Sequence, residues 1–182
     1  MKNINRIKNS FLEHIVIYYN SGFKPKSLLR SFVDNWYAYD KACNGIPYFL
    51  NSNGNPIWFN NPHSVKHKNA LLEMDFISEG AKELIFSTNK SKLHENKDSR
   101  LIKEHAIPIA YLFDLLAKEA DLNTESVEAI LLKYYKLGVL TKAEDDLLNK
   151  AKIRSKMPSN WDKENVFSRY DVIGLKNQKS VC

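Results

Sequence analysis

Residues 108–120 read Pro108-Ile-Ala-Tyr-Leu-Phe-Asp-Leu-Leu-Ala-Lys-Glu-Ala120. Ile109, Leu112, Phe113, Leu116 and Ala120 recur at steps of three and four, the period of one helix face. Pro108 suits the first position of such a helix, where its missing N–H has no intrahelical partner to lose. The same period continues downstream. Asn123 or Thr124 caps the next helix, with Val127, Ile130, Leu131 and Tyr134 inward and Gly138 at its end. Thr141-Lys-Ala-Glu144 is a capping box, in which hydroxyl and carboxylate satisfy each other's backbone donors. It predicts a short helix through about residue 152 with Leu147, Leu148 and Ala151 inward. Met157–Asp162 reads as a turn, and Val166, Phe167 and Tyr170 as a last short helix or turn.

Upstream, Ile4, Ile7, Phe11, Ile15 and Tyr18 form a stripe over residues 3–20, with Gly22 just beyond it. Leu29, Phe32, Trp36 and Cys43 predict a second helix over 26–43, stopped by Gly45. Pro47-Tyr-Phe-Leu50 and Pro56-Ile-Trp-Phe59 flank an Asn-Gly turn, the pattern of a short β-hairpin. Asn61-Pro62 caps a long helix reaching about 86, along which Ala70, Met74, Ile77, Ala81 and Leu84 step by four and three. Ser87–Ser99 is polar, lysine-rich and aperiodic, and reads as a surface loop. The fold class expected is mainly α: one helical domain over 1–175 with six to seven helices, a small hairpin near 47–59 and a flexible tail at 176–182. Phe32, Trp36, Met74, Ile77, Leu112, Leu116, Ile130 and Leu131 are the expected core.

The 182 residues suffice for one domain with a real core. Hydrophobic residues make up 43% and charged residues 26%, an ordinary globular balance. No apolar run approaches the roughly 18–20 residues that span a bilayer, and no signal-peptide pattern opens the chain. Cys43 and Cys182 are the only cysteines, which excludes a disulfide framework and paired-cysteine zinc sites. A cytoplasmic protein is expected, with no membrane partner. The net charge of +6 is diffuse: the stretches 1–60, 61–120 and 121–182 carry +4, 0 and +2. Such a balance favours weak attraction to polyanions. A composition rich in Lys, Asn, Ile and Tyr fits a bacterial or phage protein of defence or mobile-element biology.

The chemistry-bearing residues concentrate between His94 and Pro108, where two histidines, two glutamates, an aspartate and an arginine fall together. Glu104-His105-Ala-Ile-Pro108 resembles the opening of the His-Asn-His nuclease motif. That resemblance implies His105 as general base on a water, Glu104 as metal ligand or orienter, and a divalent metal such as magnesium. Arg100-Leu-Ile-Lys-Glu-His105 resembles the Arg-x4-His motif of the HEPN ribonucleases. That one implies metal-free RNA cleavage by Arg100 and His105 in a cleft, usually formed by a homodimer. His94 joins them as a candidate. The competing reading is that Glu104 and His105 merely cap the helix opened by Pro108, with the glutamate favoured by the helix dipole.

His63 and His67 lie four apart at a helix start beside Lys66 and Lys68. Without a third ligand at the required offset they read as a basic patch for phosphates, together with Lys90, Lys92 and Lys97 of the loop. The functional expectation is therefore a nucleic-acid-acting protein, a small nuclease centred on His105. The alternative is a non-enzymatic helical module that binds DNA, RNA or a partner protein.

Overall fold

The computed structural model describes residues 2–22, 26–57, 68–87 and 101–179, with the side chains of Lys2 and Lys68 excepted. It is mainly helical, with eight α-helices and one three-stranded sheet among the described residues. The chain divides into two compact units. The first comprises Met1–Trp58 and Ile109–Tyr135, the second Phe59–Pro108 and Lys136–Cys182.

The first unit packs α1 (Lys2–Asn20) on α2 (Lys26–Cys43) and on α6 (Thr124–Tyr134), with α5 (Ile109–Lys118) against α6. Gly22 and Gly45 adopt φ of 69° and 84°, the left-handed geometry expected after α1 and α2. Asn123 caps α6 by accepting from Ser126 N, and the Ser126 hydroxyl returns the bond. Leu12, Ile15, Leu29, Val33, Trp36, Leu112, Leu116, Val127 and Leu131 are buried. Phe32 and Ile130, expected in the core, are only half-buried, because the buried face of α2 turns toward Val33 and Tyr37 and that of α6 toward Val127 and Leu131. His14 is exposed and pairs through Nδ1 with the Ser10 carbonyl. Lys8 joins α1 to both neighbours, 2.6 Å from Glu128 and 3.5 Å from Asp40. Burial lowers the Lys8 pKa, but the bond and charge of Glu128 and then Asp40 outweigh it, so the pKa is raised.

The hairpin shrinks to one antiparallel bridge, Leu50 to Pro56, closed by Asn51 Oδ1 accepting from Asn53 N and Asn55 N. Pro47–Phe49 is a turn of 3-10 helix instead of a strand, consistent with a proline that cannot donate to a ladder. Residues 58 and 59 of the expected second strand lie outside the described residues.

The second unit holds α3 (Lys68–Leu72), β1 (Phe76–Ile77), α4 (Glu79–Ser87), β2 (Leu101–His105), β3 (Leu137–Thr141), α7 (Lys142–Lys150) and α8 (Ser168–Val172). The long helix expected to reach residue 86 is therefore broken at 73–78; its first residues, 61–67, lie outside the description. Two short polar side chains make the break. Asp75 Oδ2 accepts from Leu137 N, and Ser78 Oγ accepts from Ala81 N to start α4. Between them Phe76 and Ile77 run parallel to Gly138 and Val139. β3 lies at the centre, with β2 antiparallel on its other side from Leu101–Thr141 to His105–Leu137. All five residues of β3 are buried, so the strand has no alternation to betray it. Gly138 is thus a strand residue and not the helix stop expected.

Thr141 caps α7 through the predicted capping box. Phe76, Ala106, Leu140, Leu148, Ile153 and Tyr170 form the core of this unit, with Phe167, Ile173 and Leu175 at its edge. Asn177 and Gln178 belong to the segment expected to be a free tail, yet Ile77 N donates to Asn177 Oδ1 (3.0 Å) and Gln178 N to Ile77 O (2.8 Å). No helix among the described residues is long and apolar enough to cross a membrane. Leu116, 1% exposed, provides the check on the helix faces. Leu116→Ala should cost about 2–5 kcal/mol in urea denaturation, and an unchanged midpoint would remove α5 from the core.

Candidate functional site

The strand β2 carries Glu104 and His105, and the side chain that organises them comes from α8. Arg169 is fully buried and places all five N–H groups. Its Nε donates to Ile153 O (2.8 Å), and Nη1 to His105 O (2.8 Å) and Ala106 O (3.4 Å). Its Nη2 donates to Glu104 Oε1 (2.9 Å) and Arg154 O (2.6 Å). A guanidinium so enclosed needs both an anion and a full set of acceptors, and Glu104 with four carbonyls supplies them.

Next to Arg169, Tyr170 lies against β3 at Gly138. A Cβ on Gly138 would sit 3.0 Å from the Tyr170 hydroxyl and 3.3 Å from its ring, so any larger residue there would press on the buried tyrosine. The ring also packs on Phe76 at 4.5 Å between centroids. The Tyr170 hydroxyl has no hydrogen-bond partner among the described residues. Burial pushes its pKa well above the ordinary value, and the Glu104 charge adds to the rise; Arg169 opposes it. The phenol thus stays protonated at neutral pH.

Asp145 of α7 completes the group. It is 1% exposed, its Oδ2 lies 3.6 Å from Arg154 and 4.0 Å from Lys142, and its Oδ1 has no hydrogen-bond partner among the described residues.

Of the residues singled out in the sequence, Glu104 and His105 fall in this group. His105 is 7% exposed, in a strand and not at a helix cap as the competing reading had it. Arg100, His94, His63, Lys66, His67, Lys90, Lys92 and Lys97 lie outside the described residues, and of Lys68 only the backbone, in α3, is described. Arg169 and Asp145 carried no sequence signal, because charged residues are rarely buried, and Tyr170 was read only as part of a last short helix or turn. No three His, Cys, Asp or Glu side chains converge to hold a metal ion among the described residues.

A separate concavity of about 440 Å³ is lined by Glu79, Gly80, Glu83, Glu144, Gly174, Leu175 and Lys176. There Glu144 Oε2 already accepts from the Ser78 hydroxyl and from Thr141 N and Oγ1, which spends that oxygen on the cap of α7.

Two substitutions separate the roles in the buried group. Arg169→Met strands a carboxylate and four carbonyls, and should lower stability by about 3–5 kcal/mol. Tyr170→Phe removes only an unpaired hydroxyl, so stability at neutral pH should stay level or rise by up to about 1 kcal/mol. The pH dependence carries a sign. A tyrosine pKa raised by folding contributes stability below the ordinary value of about 10, and that contribution fades as pH climbs through the folded value. Tyr170→Phe should therefore flatten the alkaline fall in melting temperature, and an unchanged alkaline limb would contradict this placement. No family model matches the chain, and no curated protein or solved structure shows detectable similarity to it.

Proposed function

We propose that the chain is a non-catalytic nucleic-acid-binding protein in which Glu104 and His105 serve the packing of the second unit. One observation carries this reading: Arg169 engages the carboxylate of Glu104 and the carbonyl of His105, and His105 is 7% exposed. A general base has to reach a water or hydroxyl at about 2.6–3.2 Å, and a covered imidazole is poorly placed for that. A carboxylate paired with a buried guanidinium has little charge left for a metal ion. The net charge of +6 supplies the attraction to DNA or RNA, through phosphates and without base readout.

A specific observation favours a second reading, the His105-centred nuclease. β2 ends at His105, pairs antiparallel with β3, and α7 follows β3 directly. α5 and α6 intervene in sequence between the two strands, so only the step from β3 to α7 is direct, and α7 carries Asp145, whose Oδ1 has no hydrogen-bond partner among the described residues, and also Asn149. In that reading His105 is the base, Glu104 orients it, and magnesium supplies charge stabilisation. The HEPN resemblance draws less support, since His105 stands in a strand.

Labelled DNA and RNA, incubated with magnesium or manganese and then with chelator, test both. The expected result is a retarded but uncut nucleic acid, and a melting temperature lowered in His105→Ala. Metal-dependent cleavage that His105→Ala abolishes without loss of folding would establish the nuclease instead. Failure to retard either nucleic acid would refute the binding reading.

A further inference from the structure

Between Leu147 and Trp161 the chain carries Lys150, Lys152, Arg154 and Lys156 and no carboxylate. These four charges fall within seven residues, whereas the remainder of 121–182 carries seven basic and nine acidic residues. All four side chains are exposed. A lysine in the last turn of a helix is expected for its dipole, which accounts for Lys150 but not for three more beyond it.

The backbone that bears them is held from beneath. Lys152 adopts φ 58° and closes α7, with its N–H bonded to Asn149 O and the next N–H to Leu148 O. Ile153 inserts into the core beside Leu148 and Tyr170. Arg169 then grips the carbonyls of Ile153 and Arg154 at 2.8 and 2.6 Å. Asp145 draws the Arg154 guanidinium to 3.6 Å while its side chain remains 56% exposed. Lys152 and Lys156 have no carboxylate partner among the described residues.

We infer that this turn, 150–156, is the contact surface for the phosphodiester backbone of a nucleic acid. The inference rests on the binding reading above and names its site. A pinned turn presents its charges with little ordering left to lose on binding, which favours affinity. A lipid surface fits less well. Stable adsorption to a bilayer needs several apolar side chains to enter it, and the turn 150–156 itself carries no exposed large hydrophobic residue, with Leu147 alone exposed on the preceding helical turn.

The test is a salt titration of binding to one fluorescent oligonucleotide sequence, made as single-stranded DNA and as RNA. The triple variant Lys150→Gln, Lys152→Gln, Lys156→Gln spares Arg154 and its buried partner Asp145. It should bind about tenfold more weakly, with the slope of log K against log salt reduced by about two, roughly 0.7 per phosphate contact on a single strand. A control, Lys26→Gln, Arg30→Gln, Lys118→Gln, removes the same charge from exposed positions of the first unit. It should change affinity less than about twofold if contact and not net charge governs binding.

Equal losses in the two variants would overturn the site while leaving nucleic-acid binding intact. Wild-type protein that binds neither oligonucleotide would overturn the binding reading itself. Tighter binding to phosphatidylserine vesicles than to either oligonucleotide would assign the turn to a membrane and refute the proposal. Circular dichroism of each variant confirms folding before its affinity is compared.

Discussion

The buried guanidinium of Arg169 is the interaction on which the second unit depends. Its five donors reach β2 through Glu104 and His105, the residue after β2 through Ala106, and the turn after α7 through Ile153 and Arg154. Two segments, 104–106 and 153–154, are thereby tied to one short helix of five residues, α8, which could not hold itself by backbone bonds alone. The arrangement is stringent. A buried cation is tolerated only where every donor is met and an anion balances it, so the register of β2 and the path of 153–154 are specified together. Glycine at 138 is the steric counterpart, since it makes room for Tyr170, the neighbour of Arg169.

The first unit relies on different means. Its helices bury apolar stripes, and some polar contacts link one helix to another. Lys8 bridges α2 and α6, the Tyr135 hydroxyl meets Asp34, and the Tyr19 hydroxyl donates to Phe113 O. Local caps start and stop these helices, and burial supplies most of their stability. The two units are interleaved in sequence, because α5 and α6 of the first fall between β2 and β3 of the second.

Using charged residues as fold determinants bears on function. Glu104 and His105 have the sequence signature of a catalytic pair, yet the carboxylate and the carbonyl beside it are consumed by Arg169. The same arginine leaves four cations outward on the turn it pins. One buried charge thus both engages the Glu104 carboxylate and holds the backbone of the turn that carries the candidate phosphate surface. Asp145 is buried with an oxygen that has no hydrogen-bond partner among the described residues, and the exposed Arg154 guanidinium at 3.6 Å balances its charge.

What the sequence by itself determined is local. The three-to-four period placed α1, α2, α5 and α6, the Asn123 and Thr141 caps set two helix starts, and Gly22 and Gly45 marked two ends, because each of these is decided within one or two helical turns. The sheet was decided only in the tertiary structure. Leu137–Thr141 is too short and too evenly buried to show a period, and its partners β1 and β2 lie more than thirty residues away in sequence. Met74, Ile77 and Ala81 satisfied a helical spacing that Asp75 and Ser78 interrupt once Leu137 and α4 offer them partners. The candidate site divides the same way. Glu104 and His105 could be singled out as adjacent polar residues before a proline, but whether they face a substrate or an arginine depends on Arg169, more than sixty residues on. A pairing over that separation is selected by the burial of a charge that needs an anion beside it, and local sequence carries no trace of it.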